Sequence, residues 1–189
     1  MNHMTALECN SELQNKFIDE LKKRGEKYAL MWRMGVESGL RISDLLTLTL
    51  EDILQYPLEI NEKKTGKKRT LYFSDSLFHD LCQYRDNNNL TLSDYIFQSS
   101  RQRESAPEYK VHMTRQQAHR VIMATARKLN LKNVGTHSMR KTFASNYFAS
   151  TGDIKGLQAL LNHKNLETTL LYIVNIYGSD KKIKILDEA

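Results

Sequence analysis

Apolar residues recur at helical spacing near the start of the chain. Leu13, Phe17, Ile18 and Leu21 share one face of a helix predicted over residues 11–24, and Leu30, Met31, Met34 and Val36 do the same over 28–37. Gly39 ends the second pattern, and Ile42-Ser43-Asp44-Leu45-Leu46 opens a third helix with Ser43 as its candidate cap, so Arg41 falls at a helix-to-helix corner. The period then changes to two. Residues 56–61 and 69–74 alternate apolar and polar positions around Lys64-Thr65-Gly66-Lys67, which predicts a β-hairpin with a basic tip. Helical spacing returns over 75–86, capped near Ser74 or Asp75, and the polar Asn87-Asn88-Asn89 leads to a short apolar piece, Tyr95-Ile96-Phe97. Residues 98–110 lack a period and read as a mobile surface loop. Helical patterns then cover 114–131, 137–150, 153–161 and 166–174, and a short amphipathic piece over 179–186 comes last.

The expected architecture is mainly α with a small antiparallel β-sheet. With 189 residues, 40% of them apolar, and no internal repeat or Pro/Gly-rich linker, the chain reads as one domain over 1–189. No apolar run approaches the roughly 20 residues that cross a bilayer, and residues 1–10 have neither the basic start nor the apolar stretch of a signal peptide. A soluble, cytoplasmic protein with no membrane partner is expected. Cys9 and Cys82 stand far apart, which argues against a disulfide framework or a zinc site. Charge is unevenly divided: residues 1–60 hold seven Lys/Arg against ten Asp/Glu, whereas 61–189 hold 21 against 12. A local excess of +9 suits a surface that meets a polyanion.

Three motifs carry candidate chemistry. In Thr136-His137-Ser138-Met139-Arg140-Lys141-Thr142, His137 and Arg140 lie three apart and share a helical face. The others are Ser38-Gly39-Leu40-Arg41-Ile42-Ser43-Asp44 and Leu160-Leu161-Asn162-His163-Lys164-Asn165, the latter followed by Thr168-Thr169-Leu170-Leu171-Tyr172. A lone HxxR is usually a solvated pair, a basic turn is usually a solvated turn, and a tyrosine among Leu166, Leu170, Leu171 and Ile173 is usually core. Their order and spacing together resemble the active-site pattern of tyrosine recombinases, the phage-integrase family, over roughly residues 33–173. The resemblance implies the DNA breaking-rejoining catalytic-domain fold, double-stranded DNA as partner, and a homo-tetramer on DNA that can be a monomer without it. Carried onto this sequence, Arg41 and Arg140 are the phosphate-binding arginines, Lys64 the hairpin lysine, His137 and His163 the two histidines, and Tyr172 the nucleophile. Asn162 stands where the family usually has Gly, and Lys141 where many members have His. The N-terminal helical domain of the family is not expected before Ser11, which suggests a short recombinase or the catalytic part of a longer integrase; residues 176–189 read as a tail that packs on a neighbouring protomer.

The chemistry of these residue types agrees with that pattern. A phenol of ordinary pKa, near 10, is only about 0.1% phenolate at neutral pH and needs a base or cations nearby. His137 can take the proton, two arginine forks match the non-bridging oxygens of a phosphate, and a hairpin lysine can protonate the departing 5′ oxygen. Lys64 is the first choice for that acid, with Lys63 and Lys67 as alternatives, and His163 would donate a hydrogen bond to the same phosphate. No HExxH, metal-spaced Asp/Glu pair or GxxxxGK[ST] loop occurs, so no metal or other cofactor is expected, and exchanging one phosphoester for another needs no ATP. Tyr177 lies 14 residues beyond His163, outside the family spacing of about nine, and is read as packing. Two other readings stand beside the recombinase: a non-catalytic DNA-binding module of the same fold, and a type IB topoisomerase.

Overall fold

A computed structural model gives the fold; it describes residues 11–55, 57–64, 66–99 and 111–177. Residues 100–110 of the loop predicted over 98–110, and the amphipathic piece over 179–186, lie outside the described residues. Helix α1 (Ser11–Lys22) packs on α2 (Glu26–Ser38) through Phe17 and Trp32, whose ring centroids are 4.4 Å apart. Gly39 ends α2 in the left-handed region at φ 63°, where its N–H reaches the Gly35 carbonyl. The short α3 (Ile42–Leu45) follows, and its N-cap is Arg41 without a side-chain cap, not Ser43 as the sequence suggested. Ser43 is already inside the helix, because Arg41 alone has the extended backbone of a cap, φ −68° and ψ 142°.

Helix α4 (Leu50–Leu54) was not anticipated, its five residues being too few to show a period; a reciprocal Thr49–Asp52 capping box holds its first turn. The hairpin is present but shorter than predicted: β1 (Leu58–Asn61) pairs antiparallel with β2 (Lys68–Leu71), Leu58 opposite Leu71 and Asn61 opposite Lys68. The second strand stops before Ser74 because the Ser74 hydroxyl accepts from the Leu77 N–H as the N-cap of α5 (Asp75–Asn87). Thr114 and Gln117 form the capping box of α6 (Arg115–Lys128). Helix α7 (Thr136–Thr151) starts after Gly135 and stops at Gly152, α8 (Ile154–Leu160) is capped by Asp153, and α9 (Leu166–Tyr177) runs three residues past its predicted end. Tyr177 is therefore the last residue of α9 rather than a residue beyond it.

Two apolar clusters share α7. Met139 on its first half belongs to the larger core with Phe17, Trp32, Met34, Leu45 and Phe97, while Ala144 packs in a smaller one with Ile154, Leu157, Leu161 and Ile173. Helices α2 and α7 approach closely at Gly35, where an added Cβ would stand 2.5 Å from the Met139 sulfur. The architecture is the expected one, mainly helical with a single antiparallel hairpin among the described residues. No helix among them is long and apolar enough to cross a membrane.

Candidate active site

The close packing of α2 on α7 brings the SGLR corner against the HxxR helix. Arg140 is 3% exposed, and its guanidinium donates from Nη1 to the Gly39 carbonyl at 2.7 Å and from Nη2 to the Leu161 carbonyl at 2.5 Å. A side chain with five donors is thereby fixed by two backbone oxygens from separate segments. Arg41 emerges from the α3 N-cap with its Nη1 donating to Glu62 at 2.5 Å. Arg41, His137 and Arg140 line a cleft of about 500 Å³ together with Lys63, Lys64, Arg115 and Thr136. Lys64 is exposed at the hairpin tip. Lys63 lines the same cleft and donates its N–H to Asp44, whereas the Lys67 carbonyl accepts from the Glu62 N–H at the hairpin base.

The two remaining candidates come from the smaller core. Tyr172, part-buried on α9, places its hydroxyl oxygen 3.3 Å from His137 Nε2. Its ring lies edge-on to both histidines, 5.8 Å from His137 and 5.6 Å from His163 between centroids. His163 Nδ1 is 3.0 Å from the hydroxyl of the buried Thr169, which sets the ring's orientation; with Thr169 donating, Nε2 carries the proton.

Electrostatics follow from this crowding. Burial, then Arg140, Lys141 and Arg41, hold His137 below the ordinary histidine value. Burial and the same two arginines, with His137, push His163 down to about 4. Both rings are therefore neutral at pH 7. Burial raises the Tyr172 phenol, opposed by Arg140 and Arg41, so the hydroxyl keeps its proton while a neutral acceptor waits at hydrogen-bond distance. All six residues singled out in the sequence thus meet around one cleft and the α7–α9 contact beside it. Four others were not singled out: Asp44, Glu62, Arg69 and Thr169, all buried. Period-two alternation puts Glu62 on the face of Leu58 and Ile60, and Arg69 on the face of Leu71 and Phe73, so the hairpin pattern itself points both charges inward; what the sequence withholds is their tertiary partners.

Residues 10–177 match the sequence profile described as the phage integrase family. The chain belongs to that family. A probable integrase/recombinase YoeC of Bacillus subtilis is 32% identical over 161 residues, covering 82% of this chain and 84% of the relative. A tyrosine recombinase XerD of Rickettsia bellii is 29% identical over 172 residues, 81% of this chain but 53% of the relative, so the chain spans about half that protein's length. Among solved structures, the XerH site-specific recombinase bound to its difH substrate superposes with a TM-score of 0.69 at 20% identity, over 89% of this chain and 51% of that one. The fold is thus that of the tyrosine recombinases. Within it, the departure at Asn162 has a backbone reason: φ is 49°, and asparagine, after glycine, is the residue that best accepts the left-handed region. Lys141, the other departure, sets its ammonium 5.9 Å from the centroid of the Tyr172 ring.

Proposed function

We propose that this chain is the catalytic domain of a site-specific DNA recombinase that cleaves and rejoins duplex DNA through a 3′-phosphotyrosyl intermediate. In the forward step the Tyr172 oxygen attacks the scissile phosphorus and the bond from phosphorus to the 5′ oxygen breaks. The phenolic proton passes to His137 Nε2, Lys64 supplies a proton to the departing 5′ oxygen, and Arg41, Arg140 and His163 hold the non-bridging oxygens as charge grows on them. Rejoining is the same step in reverse, with a 5′ hydroxyl attacking the phosphotyrosine.

The observation that supports this reading most is the 3.3 Å approach of the Tyr172 hydroxyl to His137 beside a cleft that also gathers Arg41, Arg140 and Lys64. DNA is the expected partner on two grounds: the basic excess in residues 61–189, and the DNA held by the structurally similar XerH. The test is a nicked duplex whose 5′ strand diffuses away after cleavage, which prevents rejoining. The chain should become joined to a DNA 3′ phosphate in an adduct that survives denaturant. Tyr172→Phe keeps the ring and its packing yet deletes the attacking oxygen, so folding and DNA binding persist while the adduct vanishes; Tyr177→Phe leaves it intact. An adduct that persists in Tyr172→Phe, or maps to another residue, overturns the assignment.

A further inference from the structure

We propose that Glu62 is a positioning residue for Arg41, a buried carboxylate at the hairpin base that aims one phosphate-binding arginine into the cleft. The inference rests on the reading of Arg41 given above. Glu62 directly follows β1 and its side chain is 0% exposed. One carboxylate oxygen accepts from Arg41 Nη1 at 2.5 Å, and the other lies 3.6 Å from Arg69 Nη1. Arg69 is itself locked, with Nη2 donating to the Ser38 carbonyl and the guanidinium 5.8 Å from the centroid of the Phe143 ring. The carboxylate therefore has a rigid cation behind it and a catalytic one in front. Arg41 keeps 22% of its side chain exposed, so one edge of its fork is tied inward while the side chain lines the cleft.

The hairpin is registered to this point by its backbone. The Glu62 N–H donates to the Lys67 carbonyl, and the Glu62 carbonyl accepts from the Gly66 N–H at 2.8 Å. One residue on, the Lys63 N–H reaches back to Asp44 on α3. Two carboxylates thus cross-tie the arginine corner and the hairpin in opposite directions. Stability alone is a poor reason for such an arrangement, since well-packed apolar residues replace buried ion groups at little or no cost. What an apolar replacement cannot do is hold a guanidinium at a fixed angle to a phosphate.

The test uses Glu62→Gln in the full chain, with adduct formation measured in single turnover on three nicked duplexes. One carries an ordinary scissile phosphate, one a neutral methylphosphonate as both diastereomers, and one a 5′-bridging sulfur. On ordinary DNA the rate should fall about 10- to 100-fold, somewhat less than for outright loss of a transition-state donor, while DNA affinity changes by less than about threefold. On the methylphosphonate, where the anionic charge that Arg41 serves is gone, variant and wild type should converge to within about threefold. The bridging sulfur should leave the deficit in place, because it relieves only the leaving group. A variant as fast as wild type on ordinary DNA overturns the inference. So does an equal deficit on all three substrates, the mark of a merely structural role, and so does rescue by sulfur, which would route Glu62 through Lys64. If Glu62→Gln fails to fold, Glu62→Asp keeps the charge that Arg69 needs but draws it back from Arg41, and the same three comparisons apply. A wild-type chain that forms no adduct on any substrate overturns the recombinase reading itself, a result distinct from each of these.

Discussion

Gly39 is where backbone conformation and the geometry of the candidate site coincide. Its φ of 63° is the left-handed value that closes α2, its carbonyl receives Arg140, and an added Cβ would stand 2.3 Å from Phe143 Cδ1. Gly39→Ala should therefore lower folding stability by about 2–3 kcal/mol, read from urea melts. Gly152→Ala shares the conformation, at φ 65°, but its Cβ would meet nothing within 4 Å, so only the conformational cost of about 1 kcal/mol is expected there. Equal costs at the two positions would show that the Phe143 contact contributes nothing. At His137 the direction of the shift fixes the pH response. A base works only when unprotonated, and burial with Arg140, Lys141 and Arg41 disfavours the imidazolium, so protonation waits until the pH is below the ordinary 6.5. With DNA below saturation, the acid limb of the rate of adduct formation should be centred below pH 6.5. An acid limb centred above 6.5 would remove His137 as the base.

At the scale of elements, the hairpin carries its proposed acid at an exposed tip, with Lys64 lining the cleft and the strand pairing of Leu58–Leu71 to Asn61–Lys68 behind it. A general acid matters only when the departing atom needs a proton. Lys64→Ala should accordingly be slow on ordinary DNA and largely restored when the leaving atom is sulfur. No rescue would transfer the role to Lys63, which lines the same cleft. The position of Lys64 at a hairpin tip was legible in the sequence because a basic turn between alternating strands is a local signal, and so was the HxxR pair, whose spacing is a property of one helix. The rest depended on packing. The five residues of α4 give no period, and Ser43 has the chemistry of a cap but not the backbone of one. Glu62 and Arg69 continue the inward faces of the two strands, but what pairs with a charge there emerges only when α2 and α7 are placed against the hairpin. The separation of Tyr172 from His163 could be counted along the chain, but the approach of its hydroxyl to His137 could not, because α9 is brought against α7 by packing in the smaller apolar cluster.

Over the whole molecule, charge sets how the proposed DNA partner would be met. The 21 Lys/Arg against 12 Asp/Glu in residues 61–189 include the cleft residues Lys63, Lys64, Arg115 and Arg140. Each phosphate neutralised contributes about −0.9 to the slope of log affinity against log salt, so a slope of about −3 or steeper is expected from titrations across moderate salt. A slope near zero would mean that this surface does not bind DNA. Arg140 also ties the fold together, since its two bonds join the start of α7 to Gly39, 101 residues earlier, and to Leu161, 21 residues later. His137 and Arg140 share α7, but the rest of the cluster has no local precursor: a part-folded chain holds Tyr172 apart from His137, and Arg41 apart from Arg140. Under the strand-breaking chemistry proposed above, this ties cleavage to completed folding, so an immature or misfolded copy would leave DNA intact.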